Sequence, residues 1–427
     1  MTLTVIGTGF VGVVTAGVFA SFGHTVYGLD VDEKKISKLQ KGKVPFFEPK
    51  LDDLVKEQLK TKRLRFTTSY SDAISDSDVV FISVGTPSAP DGQADLKFVF
   101  AAAESLAPHL KEHAIVVIKS TVPPGTNGKV KQKIDALAKE KYYIASVPEF
   151  LREGSAVEDT FNPDRIVLGA KEQRVISTLS ELHAPFHAPI ISMSPESAQM
   201  TKYSANSFLA TRITFINQIA DLCEKNGADV MEVIKGIGGD DRIGSHYWYP
   251  GLGYGGSCFP KDVKELAAYS RSVGEANNLL NKISEFNEHR VYHLLDSYEQ
   301  MIGGWDGKTV AVLGLSFKPN TDDTREAPSM KVIPHLLNKG ATVNGFDPMV
   351  AAEQLPIEDK RYVQRATIEE AVKDADVIFI LVEWPQITQF DFSKTRENKK
   401  QWLIDVRNQL AVHTVKDWGY EYRGVGR

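Results

Sequence analysis

The chain lacks most of what would make it secreted, membrane-bound or polyanion-binding. It has only two cysteines, Cys223 and Cys258, in 427 residues, too few for a disulfide framework and suited to a reducing compartment. No apolar run approaches the roughly 18 residues of a membrane span. The first residues enter a strand pattern directly, so no signal peptide and a cytoplasmic location are expected. Charge of one sign is also missing: 50 Lys and Arg against 55 Asp and Glu leave a net charge of -5. That argues against nucleic acid or an anionic membrane as the main partner. Histidine is scarce, at 10 residues. His109 with His113, and His289 with His293, have the spacing of two ligands on one helix face. Neither pair has an HExxH arrangement and two ligands do not close a site, so no metal is expected.

What is present points to a multidomain α/β protein, since the length allows two or three domains with substantial cores. Thr2–Ile6 reads as a buried strand, followed by Gly7-Thr8-Gly9-Phe10-Val11-Gly12 and a helical pattern through Phe19. That is the context a dinucleotide fingerprint needs: Gly7 for the tight turn, Gly9 for room beside a pyrophosphate, Gly12 for close helix packing. A second strand, Thr25–Leu29, ends in Asp30, where a carboxylate can hold the ribose hydroxyls of NAD and repel the extra phosphate of NADP. Lys34 and Lys35 lie nearby, and Lys35 is counted among the cofactor contacts.

Strand-like and helix-like segments alternate through the first half, with strands at 79–84, 115–119, 142–146, 165–168 and 190–193, the rhythm of a doubly wound parallel sheet. Ligands in such sheets sit beyond the carboxyl ends of the strands. Three polar segments fall there: Ser83–Pro87 with Thr86, Lys119–Gly125 with Thr121, and Pro148–Glu153 with Glu149. After Ser194-Pro195-Glu196 a helix of about 32 residues is expected, ending at Gly227 and extending roughly 48 Å. Its apolar stripe is Leu209, Ile213, Ile216, Ala220 and Cys223, with Cys223 read as a core residue. Carried backward, the stripe meets Asn206 and Lys202, four apart on one face. A new alternating series begins at 309–313 and continues at 342–346, 377–382 and 402–404. The fold expected is therefore two Rossmann-like doubly wound domains joined by a long central helix and helical middle region. The boundaries are 1–193, 194–302 and 303–427.

The most pointed chemical signal is Gly253-Tyr254-Gly255-Gly256-Ser257-Cys258-Phe259-Pro260-Lys261-Asp262. It sets a thiol on a glycine turn where a helix is expected to start, with Pro260 in its first turn. Amides at a helix start favour a thiolate. Asp262 would share the face of Cys258. In the last third, Gly314-Leu315-Ser316-Phe317-Lys318 lacks the later glycines of the fingerprint, so no second dinucleotide is expected there. Lys318, Arg325 and Arg407 suit a nucleotide's phosphates or base instead.

Together these motifs resemble the UDP-glucose/GDP-mannose dehydrogenase family. The likeness runs from Gly7–Gly12 through Lys119-Ser120-Thr121, Pro148–Glu153, Lys202–Asn206 and Gly255–Asp262 to Phe317-Lys318 and Asp323–Glu326, nearly the whole chain. It implies an NAD-binding domain, a helical middle carrying a homodimer contact, and a carboxyl-terminal domain for a nucleotide sugar. The implied reaction is a four-electron oxidation of a nucleotide sugar at C6, UDP-glucose first, with GDP-mannose or another UDP-sugar as the alternative. A water held by Asp262, with Thr121 or Lys202, helps remove the alcohol proton. Cys258 adds to the resulting aldehyde, Lys202 and Asn206 stabilise the oxyanion, and Glu149 or Asp262 is the base that hydrolyses the thioester. By position, Asp30, Thr86, Thr121, Glu153 and Arg325 should contact NAD. Glu149, Phe150, Leu151, Lys202, Asn206, Arg242, Tyr247, Gly255, Lys318 and Arg407 should contact the sugar nucleotide. The segment Ser245–Pro250 is more aromatic than the resemblance leads one to expect.

Overall fold

The computed structural model describes residues 1–275, 277–397 and 399–427. The chain divides into two compact units, Met1–Ala205 with Glu265–Glu275, and Asn206–Lys264 with Ala276–Arg427.

The first unit is built on β1 (Thr2–Ile6), β2 (Thr25–Leu29), β3 (Leu64–Thr67), β4 (Val79–Ile82), β5 (Ile115–Ile118), β6 (Tyr143–Ser146), β7 (Ile166–Gly169) and β8 (Ile190–Met193). They form one sheet in the order β3-β2-β1-β4-β5-β6-β7-β8. Central strands such as Val79–Ile82 and Ile115–Ile118 are apolar and buried at every position, as a sheet covered on both faces requires. Their residues alternate between two cores. Leu3, Val79, Phe81, Ile115 and Val117 belong to one cluster, while Ile6, Val80, Ile82, Val116 and Ile118 belong to the other. This is the doubly wound architecture read from the sequence, with one difference. Strands β6 and β7 pair antiparallel, through the single register pair Ser146 and Gly169.

Strand order reverses at β1, which has β2 on one side and β4 on the other. The crevice at such a switch point is where ligands bind in open α/β sheets. Gly7, at φ +93°, turns the chain into the helix Phe10–Ser21. A methyl group on Gly12 would run into the Gly7 carbonyl oxygen, so only glycine permits this close approach.

The second unit repeats the plan. Strands β9 (Thr309–Leu313), β10 (Thr342–Phe346), β11 (Tyr362–Gln364), β12 (Val377–Ile380), β13 (Trp402–Asp405) and β14 (Glu421–Gly424) make an all-parallel sheet. Its order is β11-β10-β9-β12-β13-β14. Gly314 again turns the chain at φ +93°, but the next helix, Ser329–Asn338, begins well beyond it. The long helix is Pro195–Asn226, 32 residues. Ser194 Oγ accepts from Ser197 N–H at 3.1 Å at its start, and Gly227, at φ +80°, closes its end. Ile216, Ala220 and Cys223 from this helix join the second unit's core beside Leu294, Leu295 and Tyr298 of the helix Leu279–Ile302.

Two sequence expectations need correcting. His109 and His113 do not share a helix face: His109 ends a short 3-10 turn and His113 is a loop residue at φ +66°. Strands β3, β11 and β14 were not read, and each lies at the edge of its sheet.

His183 is buried among Phe19 and Phe186, with its Nδ1 2.7 Å from the Leu179 carbonyl. Burial, with a smaller contribution from Lys119, pushes its pKa down to about 4. The unfolded chain therefore binds this proton more readily, and stability falls as pH drops from 6.5 toward 4 by about 1.4 kcal/mol per unit. Urea titrations at pH 7, 5.5 and 4.5 should show this slope in the native chain and a flatter one in His183→Phe. Equal slopes would exclude His183 as the acid-sensitive group.

Candidate active site

At the switch point of the first sheet, Asp30 caps the glycine turn. Its Oδ2 accepts from Thr8 N–H at 2.8 Å, Thr8 Oγ1 at 2.8 Å and Lys35 Nζ at 3.0 Å. Its Oδ1 accepts from Asp32 N–H at 3.1 Å, leaving lone-pair capacity on that oxygen. Burial pushes the carboxyl up, but the bonds from Thr8, Lys35 and Asp32 outweigh it and hold the group below its ordinary value. An ionised acid therefore stands where a ribose would be read. The helix Phe10–Ser21 has no side-chain cap at its start, and nothing lies within 4 Å of a methyl built on Gly9. Open amides and open space beside a helix start fit a pyrophosphate. Thr86 Oγ1 donates to the Thr121 carbonyl at 2.9 Å, which joins two of the sequence-predicted loops.

The third of those loops carries a buried ion pair. Lys202 Nζ lies 3.0 Å from Glu149 Oε1, with side chains 3% and 9% exposed. Glu149 Oε2 also accepts from Leu151 N–H at 2.8 Å. The Phe150 ring has Arg165 at 3.7 Å and Lys202 at 5.5 Å from its centroid. Lys119, just past β5, is pushed down to about 8, chiefly by burial; Glu149 pulls it upward and Lys202 adds to the fall. Two ammonium groups thus gather around one carboxylate inside the first unit, an arrangement suited to an anion or to a developing negative charge.

One helical turn beyond Lys202, Asn206 makes a second pairing. Its Nδ2 donates to Asp262 Oδ2 at 2.6 Å, and Asp262 Oδ1 accepts from Lys261 Nζ at 2.6 Å, with Asp262 1% exposed. Asp262 lies in the first turn of the helix Phe259–Ser272. The Cys258 carbonyl accepts from Asp262 N–H at 2.8 Å, so Cys258 holds the N-cap position. Its thiol is partly exposed, and Ser257 Oγ is 3.6 Å from Sγ.

The loop before the cysteine is clamped from several sides. Asn217 Oδ1 accepts from Gly251 N–H at 2.8 Å, and Arg290 Nε donates to the Gly251 carbonyl at 3.0 Å. Asn287 brackets Tyr254, accepting from its N–H at 2.8 Å and donating to its carbonyl at 3.0 Å. Gly256, at φ +82°, donates to the Arg325 carbonyl at 3.1 Å, and a methyl there would strike the Phe317 ring. The clamping residues Asn217, Asn287 and Arg290 were missed in the sequence. The signal for them was polar groups on the buried faces of otherwise apolar helices.

Three of the remaining basic residues are matched with acids. Arg407 holds Glu383 through two bonds of 2.6 and 2.7 Å. Glu383 is pushed up by burial but held below its ordinary value by Arg407, with help from Lys318. Arg242 is exposed and clasps Asp240, and Arg325 clasps Asp323. Tyr247, at φ +65°, packs between Tyr249 and Phe259, with centroids 5.5 and 6.3 Å away. Glu153 is half-buried beside Gly154. Among the described residues, Asp296, Glu299 and His335 bring ligand atoms within 4.8 Å of one another, but Glu299 is already met by Lys339 at 2.9 Å.

Three models of the UDP-glucose/GDP-mannose dehydrogenase family match: the NAD binding domain over residues 1–187, the central domain over 196–289 and the UDP binding domain over 311–412. The chain is similar to the UDP-glucose 6-dehydrogenase TuaD of Bacillus subtilis, at 42% identity over all of this chain and 93% of that one. It is also similar to the UDP-glucose 6-dehydrogenase YwqF of the same organism, at 43% identity over all of this chain and 98% of that one. A solved UDP-glucose dehydrogenase from Pyrobaculum islandicum superposes with a TM-score of 0.93 at 37% identity, over all of this chain and 97% of that one.

Removing one partner of a buried ion pair strands the other charge. Lys202→Met should therefore cost about 3–5 kcal/mol, and the added change Glu149→Gln should recover much of it. Denaturant unfolding of the wild type, both single variants and the double variant measures the coupling. Additive losses would show that the pair does not form in solution.

Proposed function

Since the chain belongs to the UDP-glucose/GDP-mannose dehydrogenase family, we propose that it oxidises UDP-glucose at C6 to UDP-glucuronate in two NAD-dependent steps, with the sugar held on Cys258 between them. The observation that carries this reading is a partly exposed thiol at the N-cap of a helix, on a loop clamped by Asn217, Asn287 and Arg290. A two-electron dehydrogenase has no use for such a sulfur.

Gly7, Gly9, Phe10, Val11 and Gly12 would hold the pyrophosphate of NAD, and Asp30 beside Lys35 its ribose. Thr86, Thr121, Glu153 and Arg325 complete the cofactor contacts by resemblance. When bound, NAD would supply the hydride acceptor for the first oxidation, and a second NAD, exchanged into the same seat, that for the next. Arg242, Tyr247, Gly255, Lys318 and Arg407 hold the nucleotide sugar, with Phe150 and Leu151 beside it. Asp262 holds the water that takes the C6 hydroxyl proton, aided by Thr121 or Lys202. Cys258 Sγ then bonds to the aldehyde carbon, and the oxyanion accepts hydrogen bonds from Lys202 and Asn206. After the second hydride leaves, the carbon is a thioester. Glu149 or Asp262 takes a proton from the attacking water, the C–S bond breaks, and the acid leaves with the thiol restored. Covalent capture keeps the aldehyde from escaping. Residues 1–193, 194–302 and 303–427 act as cofactor, helical middle and nucleotide-sugar domains, in the reducing cytoplasm that the free thiol requires.

A homodimer formed along the long helix belongs to the same reading. Phe208, Phe215 and Leu222 recur every seven residues on it and are 61%, 51% and 52% exposed. Apolar side chains at two-turn spacing make one stripe, and an exposed stripe of this kind marks a helix-to-helix contact. The Arg212 guanidinium, 4.0 Å from the Trp248 ring centroid, and the Phe215–Trp248 contact extend the patch.

Absorbance at 340 nm, roughly the band of the reduced cofactor, should report two NADH for each UDP-glucose. Rates with UDP-galactose, UDP-N-acetylglucosamine and GDP-mannose should be lower. Cys258→Ala should lose on the order of 10³-fold in turnover. One NADH per sugar, or full turnover without the thiol, would exclude the covalent route, and faster oxidation of GDP-mannose would reassign the substrate. In sedimentation, Phe215→Glu should convert a dimer to a monomer; an unchanged species would remove the long helix as the contact.

A further inference from the structure

The loop that carries Glu149 and Glu153 has no regular structure of its own between Pro148 and Ser155. Part of its anchoring is local. Asp159 accepts from Arg152 N–H at 2.9 Å, from the Arg152 side chain at 3.0 and 2.6 Å, and from Ser155 Oγ at 3.1 Å. The rest comes from more than a hundred residues away. Glu48 is 6% exposed, and its carboxylate accepts from Gly154 N–H and from Ala156 N–H, each at 2.7 Å. These are short, charge-assisted bonds to amides at the start of the helix Ala156–Phe161, which has no side-chain cap from Ser155. The same irregular segment places Phe46 against Phe10, ring centroids 5.2 Å apart, and Phe10 follows the second glycine of the dinucleotide turn.

We infer that Glu48 is a positioning residue: its carboxylate fixes the backbone at Gly154 and Ala156, and with it Glu149 and Glu153, while Phe46 ties the same strap to the dinucleotide turn. The roles of Glu149 and Glu153 rest on the function proposed above; the strap itself does not. The strap joins the seat of the cofactor to the loop bearing the hydrolytic base, so slackening one end disturbs both. A carboxylate serves here because it offers two acceptors. An amide in its place keeps one acceptor and turns an NH₂ donor toward the other N–H.

Glu48→Gln is the test. Per folded chain, kcat should fall on the order of 10–100-fold, as expected when a reacting group shifts by about 1 Å. The KM for NAD should rise at the same time, and the Gly154 and Ala156 amides should exchange on the order of 10-fold faster with deuterium. A role in stability alone would lower the melting temperature and leave kcat and the KM for NAD of the folded fraction unchanged, which would overturn the inference. If the variant does not fold, exchange in the wild type decides: protection of both amides supports the strap, and unprotected rates overturn it. If the wild type reduces no NAD with any nucleotide sugar, the proposed function fails. Direct NAD titration and amide exchange of Glu48→Gln then still decide whether the strap couples loop and turn.

Discussion

The buried contact between Lys202 and Glu149 is the constraint around which the site is arranged. Taking an ammonium and a carboxylate out of water costs several kcal/mol per ion, and their attraction at 3.0 Å returns that only when further bonds satisfy the remaining lone pairs. Leu151 N–H supplies one such bond to Glu149. A buried pair of this kind is weak evidence for stability, since an apolar pair of similar volume would serve the fold as well. The proposed chemistry gives both charges a use. The same helix then presents Asn206 one turn on, paired with Asp262.

The two sheets share a strand order and a glycine turn at φ +93°, yet only one is suited to a dinucleotide. The reason is local. After Gly7 a helix begins within three residues, and its first amides stay open. After Gly314 the chain runs on to Ser329 before any helix forms, so no helix start faces the turn. Asp347, at the position equivalent to Asp30, is used internally: Leu315 N–H, Ser316 N–H, Ser316 Oγ and Trp384 Nε1 all donate to its Oδ2. The turn has become a structural knot. Lys318 and the Arg407–Glu383 pair then supply the charge on that side.

Burial explains which elements could be read in advance. Strands β4, β5 and β12, covered on both faces, are unbroken apolar runs, and β9 is apolar after Thr309, so all four stood out. The missed strands β3, β11 and β14 are edges, where Arg65, Gln364 and Arg423 interrupt the apolar pattern and one side of the ladder has no partner to demand it. The spacing of His109 and His113 suggested a shared helical face, but the helical run stops at His109, where Leu110 is already extended, and His113 lies in the loop beyond. The basic residues Arg242, Arg325 and Arg407 were legible as charges, but not their acids. Asp240 and Asp323 are local, while Glu383 reaches Arg407 only because β12 and β13 lie side by side.

By itself the amino-acid order determined the features that local rules control: the glycine turn, the long capped helix, the thiol at a helix start and the alternation of strand and helix. Each depends on neighbours a few residues apart, where backbone sterics and side-chain periodicity act directly. Only the tertiary structure decided which charges meet. Lys202 finds Glu149 across 53 positions, Asn206 finds Asp262 across 56, and Glu48 finds Gly154 across 106. Such pairings are set by which strand ends and helix faces packing brings together. A carboxylate buried there must have its donors within hydrogen-bonding distance, however far apart they lie along the chain.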